Sequence, residues 1–224
     1  MNDKRLRFSA KRFSSIIVRR HGIQSFMKTL NVTLVLLALT LAGCTTFTVL
    51  NDASQWTIEL ASSEPLPSGS CKIYDDLDRM MLEGTLSAGK MDGTWTSFSS
   101  QGDRLPLLKW SYRNGMRNGP VQMWYGPLAY PAASGHLNTE GTFLNGVYDG
   151  AVTAYYPSGA KRCVRVYDHG TLKSCQYWSP EGIEYSTSEA VTEANRENQS
   201  DLLYIATEED VVTRSLAQAH RKIQ

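Results

Sequence analysis

The sequence predicts a mainly β protein: an elongated array of antiparallel hairpins followed by a C-terminal α-helical segment. Three observations predict it. A Gly-x-x-x-Gly element recurs with its first glycine at 89, 115 and 146, and a fourth copy at Gly170 has Ser174 in the last place. Each recurrence is followed by a run rich in aromatic and β-branched residues, as in Thr94-Trp95-Thr96-Ser97-Phe98. After Gly182 the composition changes, and residues 187–222 contain no glycine and gain Glu and Ala. Short alternating runs between glycine turns read as hairpins, and a glycine-free stretch of helix formers reads as helix.

The chain opens on a basic stretch, with Lys4, Arg5, Arg7, Lys11, Arg12, Arg19 and Arg20 against Asp3. Met27 then begins a signal of ordinary length and is the expected translation start; the alternative is a long basic leader. Lys28 supplies a positive n-region, and Leu30 to Leu41 forms a 12-residue apolar segment interrupted by Asn31, Thr33 and Thr40. Such a segment is shorter than the ~20 residues that span a bilayer. Small residues follow, as a signal peptidase requires. Leu41-Ala42-Gly43-Cys44 resembles the lipobox of bacterial lipoproteins. That resemblance implies diacylglycerol on the Cys44 thiol, cleavage before Cys44 and an N-acyl chain on the new amine. Several acyl chains anchor stably where one is marginal. Thr45, rather than Asp, follows the cysteine, which favours the outer membrane, facing the periplasm, in a cell that has one; exposure at the cell surface stays open.

Removing residues 1–43 takes away 8 of the 23 Lys and Arg but 1 of the 22 Asp and Glu. The mature 181 residues therefore carry 15 bases and 21 acids, a net charge of −6. An acidic exported chain lacks the concentrated basic face that nucleic-acid binding needs. The expected partners are the membrane, through the anchor, and an envelope protein.

Residues 44–68 are expected to be a lipid-anchored linker. Trp56-Thr57-Ile58-Glu59-Leu60 alternates as a first strand would, and Ser62-Ser63-Glu64-Pro65-Leu66-Pro67 reads as a break. Residues 69–185 form the repeat domain. Its tetrads carry Gly89 and Gly93, Gly115 and Gly119, Gly146 and Gly150, and Gly170 with Ser174 in the last place. Asn-Gly and Asp-Gly supply positive φ at low cost and close tight hairpins. A second turn follows at Gly102, Gly159 and Gly182; in the second copy Gly126-Pro127-Leu128-Ala129-Tyr130-Pro131 delays it to Gly135. Each hairpin buries its apolar face only by stacking on neighbours.

The runs Glu83-Gly84-Thr85 to Gly102 and Glu140-Gly141-Thr142-Phe143-Leu144-Asn145-Gly146-Val147-Tyr148-Asp149-Gly150 to Gly159 resemble the MORN repeat. The closest likeness is to the bacterial variant found in exported proteins and antitoxin components. The resemblance spans about residues 83–182. It implies a twisted sheet of hairpins acting as a scaffold, without catalysis or a cofactor beyond the lipid on Cys44.

Residues 186–224 are expected to form a helical cap or tail, as two helices near 187–197 and 201–221. Ser186 with Glu189 matches a capping box, and Val212, Leu216, Ala219 and Ile223 share one helical face. Capping an open sheet edge is the expected role, with partner binding as the alternative.

Cys71, Cys163 and Cys175 remain after lipidation. Cys163 and Cys175 lie symmetrically about His169. A three-residue reversal places them opposite each other, as a disulfide needs; a longer loop moves Cys175 toward Asp168. Both registers stay open. Neither spacing matches a zinc site. No nucleophile elbow, phosphate loop or paired histidine ligands occur in the sequence, and Asp75, Asp76 and Asp78 read as a solvated loop. A non-catalytic scaffold is the leading expectation, with Trp110, Trp124, Tyr125 and Trp178 as contact aromatics. An immunity or antitoxin-like role, implied by the resemblance, and glycan or cell-wall binding are the alternatives.

Overall fold

The computed structural model describes residues 45–50, 55–61 and 66–223, with side chains over 57–61, 66–217 and Ala219. Met27, Leu41, Ala42, Gly43 and Cys44 lie outside the described residues. Among the described residues, twelve strands form a single sheet of antiparallel hairpins: β1 (Thr45–Leu50), β2 (Gln55–Leu60), β3 (Gly69–Tyr74), β4 (Met80–Ser87), β5 (Lys90–Phe98), β6 (Pro106–Arg113), β7 (Met116–Trp124), β8 (Leu137–Leu144), β9 (Val147–Tyr148), β10 (Gly150–Tyr155), β11 (Lys161–Asp168) and β12 (Thr171–Tyr177). Eleven of them pair in chain order, and short β9 pairs with β8. Sequential pairing follows from the turns, which join each strand to the next through a few residues.

The expected linker is structured further than its composition indicated. β1 and β2 both belong to the sheet, with Thr45 opposite Leu60 and Thr57 opposite Tyr74.

One helix, α1 (Thr187–Ile223), replaces the expected two. Half of its capping box forms: Glu189 Oε2 reaches back to accept from Ser186 N–H at 3.0 Å, while Ser186 Oγ donates to the same oxygen at 2.6 Å. No glycine or proline interrupts it. Buried or half-buried Ala194, Asn198, Asp201, Ile205, Glu208, Val212, Ser215 and Ala219 recur at alternating steps of four and three, which makes one continuous seam. That seam packs on the face of the sheet, not along an edge. Ala190 and Ala194 meet Ala154, Cys163 and Tyr177, while Ile205, Val212 and Ala219 join the cluster that includes Ile58 and Leu60. The 37 residues of α1 extend about 55 Å at helical rise. Eleven strands at β spacing measure about 48 Å across, so the helix is long enough to cover the sheet from β12 to β1.

The core therefore lies between α1 and one sheet face. Alternate residues of every central strand fill it, among them Ile73, Leu82, Trp95, Trp110, Val121, Phe143 and Val152.

Candidate functional site: the turn edge and the helix-free face

Two-residue turns at Ala88-Gly89, Asn114-Gly115, Asn145-Gly146 and His169-Gly170 define one edge of the sheet, here the turn edge. In each, both residues have positive φ, for example 53° and 81° at Asn114-Gly115, the type I′ geometry that matches strand twist. Every turn is tied to the hairpin before it. The N–H groups of Gly89, Gly115, Gly146 and Gly170 donate to the carbonyls of Pro67, Met91, Arg117 and Tyr148 at 2.8–2.9 Å. Asp92 Oδ1 accepts from Asn114 N–H at 3.0 Å, and Asp149 Oδ1 from His169 N–H at 2.9 Å. The aspartate before the second glycine is thus a clamp for the next turn, while in the second copy Asn118 Nδ2 donates to Asn145 Oδ1 at 3.4 Å instead. The fourth copy has no following hairpin to clamp, and there Lys173 and Ser174 replace the Asp-Gly pair. At the other end Pro67-Ser68-Gly69 plays the clamp's part: Ser68 Oγ accepts from Ala88 N–H at 2.9 Å. The repeat therefore begins near residue 67, earlier than the glycine pattern alone indicated.

The face opposite α1 carries a polar ladder. Glu59, Lys72, Glu83, Thr96, Lys109, Gln122, Glu140, Thr153, Val164 and Gln176 are successive cross-strand partners. Opposite charges neighbour one another at Glu59, Lys72 and Glu83, the arrangement that stabilises strand pairs. Tyr74 Oη donates to Glu59 Oε2 at 3.1 Å and Tyr155 Oη to Glu140 Oε1 at 2.8 Å. Around Gly141 the face is dished into an open depression lined by Pro120, Gln122, Glu140, Thr142, Ala151 and Thr153.

Charges also lie beneath the helix. Arg165 is fully buried and donates to Asp201 Oδ2 at 2.7 Å. It stands five residues before Gly170, the position filled by Gly84 and Gly141 in the first and third copies. Glu197 faces Arg162 at 3.0 Å and accepts from Tyr177 Oη at 3.2 Å. Arg117 grips both oxygens of Glu209 at 2.6 Å each, and Tyr112 also bonds that carboxylate. Burial lifts Asp201 above the usual carboxylate range against the pull of Arg165, and burial pushes Glu208 up to about 7. These ion pairs join α1 to β7 and β11.

Among the sequence-predicted contact residues, Trp110 and Tyr125 prove to be interior. Trp110 is fully buried with its Nε1 donating to Tyr112 Oη at 2.7 Å, and Tyr125 donates its hydroxyl to Tyr155 O at 2.7 Å. Trp124 and Trp178 are half-buried at the opposite, loop edge. Cys163 and Cys175 are free thiols. Cys163 pairs with Tyr177 and Cys175 with Arg165, because the two-residue His169-Gly170 turn and the extra residue Lys173 produce neither of the two expected registers.

His169, Asp168 and Asp149 sit close enough to share an ion, but their groups already engage one another. His169 Nδ1 lies 2.6 Å from Asp168 Oδ1, and Lys173 Nζ lies 3.2 Å from Asp168 Oδ2. The bond to Asp168 raises the His169 pKa and lowers that of Asp168. The group braces the last turn. No helix among the described residues is long and apolar enough to cross a membrane.

Set against models of known protein families and against curated proteins, the chain matches none.

Proposed function

We propose that the chain is a lipid-anchored cell-envelope scaffold that holds a partner protein on the helix-free face of a MORN-like sheet, in the outer membrane and facing the periplasm. The observation that carries this reading is the contrast between the two faces. One is sealed by the chain's own helix; the other presents a ladder of ten cross-strand partners, nine of them polar and of mixed charge. Mixed-sign, half-exposed side chains on a rigid sheet suit recognition by a complementary protein surface. The lipobox supplies the tether, and β1 begins one residue beyond Cys44.

Two measurements test it. Growth with an alkyne fatty acid should label the chain, and Cys44→Ala should abolish both the label and membrane fractionation. A photo-crosslinking residue at Lys109 or Gln122 should capture one discrete partner in intact cells, while one at exposed Ser158, on the loop edge, should not. Equal, diffuse capture at all three positions would contradict the scaffold reading.

A further inference from the structure

We propose that the turn edge rests on the phospholipid surface that holds the anchor, with Leu66, Met116 and Val147 as its inserting tips. The inference depends on the lipobox reading of Cys44.

The topology places the anchor at this edge. β1 begins at Thr45 opposite Leu60, Leu60 faces Cys71, and β3 starts two residues earlier at Gly69. Gly69 adjoins the first turn clamp, where Gly89 N–H meets Pro67 O. The β3–β4 loop, Asp75 to Arg79, lies at the other end of the same strand. Cys44 is joined to Thr45 directly, and one residue reaches about 3.5 Å. The anchor therefore has no linker that would let the sheet stand away from the bilayer.

The same edge exposes apolar side chains in register. Leu66, Met116 and Val147 are 64, 54 and 41 % exposed. They hold the same place in three of four consecutive copies, with Lys90 in that place in the copy between Leu66 and Met116. Leu66 covers Gly89 and Val147 covers Gly170, each 3.1 Å from where a Cβ on that glycine would stand, and the Lys90 stem covers Gly115 in the same way. Copies are two strands apart, about 10 Å, so the three tips span about 30 Å along the edge.

Between the tips lie exposed Lys90 and Arg113, suited to phosphate level. The carboxylates of this edge are internally engaged: Asp92 and Asp149 by turn N–H groups, Asp168 by His169 and Lys173. Leu77, Leu128 and Ile183 are also exposed, but on the loop edge, a strand length from Thr45. In this placement the strands rise from the bilayer, and the helix-free face is presented to its side.

The test uses the full acylated chain in phosphatidylethanolamine–phosphatidylglycerol vesicles, with Cys175→Ser removing the half-buried thiol. Nitroxide labels are placed at Met116→Cys, Val147→Cys and, on the loop edge, Ser158→Cys. Labels at 116 and 147 should collide more with oxygen than with a water-soluble nickel complex, and the label at 158 should show the reverse. Mass spectrometry of the N-terminal peptide reports acylation in the same samples. Acylated protein with water-exposed labels at 116 and 147 overturns the edge placement and leaves the anchor intact. An unmodified Cys44 overturns both.

Discussion

The indole of Trp95 lies flat against the backbone of Gly84. A methyl group at Gly84 would stand 2.1 Å from the ring, and Trp95 Nε1 donates to Thr85 O at 3.0 Å. The glycine of the Glu-Gly-Thr signature is therefore a seat for the side chain from the next strand. Gly141 serves Val152 likewise, at 2.9 Å.

Gly84→Ala should displace Trp95 and destabilise the protein by roughly 2–3 kcal/mol. Gly159→Ala meets empty space and strains only a backbone at φ 86°, so its loss should be about 1 kcal/mol. Urea unfolding of the two variants checks the order. Equal losses would show that Trp95 does not depend on the missing side chain.

Fully buried Arg165 pairs with mostly buried Asp201, and Arg165 Nε and Nη1 find no protein acceptor. Removing Asp201 leaves buried Arg165 only the more distant Glu197, 3.9 Å away, so Asp201→Asn should destabilise by about 3 kcal/mol. Arg165→Met combined with Asp201→Leu should recover most of that loss, because the desolvation cost disappears with both charges. A double-mutant cycle in urea measures the coupling; additive losses would contradict it.

Glu208 gives the helix–sheet seam a pH dependence. Burial raises its pKa to about 7 from the ordinary 4.5 of a glutamate, so the folded state holds the proton more tightly than the unfolded chain. Its contribution is fully present below about 4.5 and is lost as pH rises through about 7. Thermal unfolding should show stability falling across this window, and Glu208→Gln should flatten that fall. An unchanged pH profile in the variant would assign the fall to another group.

Burial pushes the Cys71 thiol up to about 12 and Cys163 up to about 11. Of Cys71, Cys163 and Cys175, a thiol reagent should find Cys175 alone within minutes in the native protein and all three in denaturant. Reductant should leave the unfolding midpoint unchanged. Detection of a Cys163–Cys175 peptide would contradict the observed register.

Much of the fold is legible because turn chemistry acts over a few residues. Asn114-Gly115 and Asn145-Gly146 ask for positive φ at both positions, and no partner distant in sequence is needed to read that. The capping box at Ser186 and Glu189 is equally local. Less of the surface is legible. Trp110 and Tyr125 look like contact residues by type, but alternation alone does not say which face α1 will cover. The Pro67-Ser68-Gly69 clamp was missed because it lacks the tetrad's first glycine; its signal was the small hydroxyl residue before a glycine, one copy upstream of Asp92-Gly93.

By itself the sequence determined the hairpin array, its four tight turns and the helix, all written in spacings of a few residues. Only the tertiary structure decided which face is sealed, that Arg165 is a buried ion, and that the chain enters the sheet at the turn edge. Those outcomes depend on contacts between distant residues. Arg165 and Asp201 are 36 positions apart, and Tyr112 and Glu209 are 97 apart. No local propensity encodes such a pairing, because its energy exists only once the helix has displaced water from one face of the sheet.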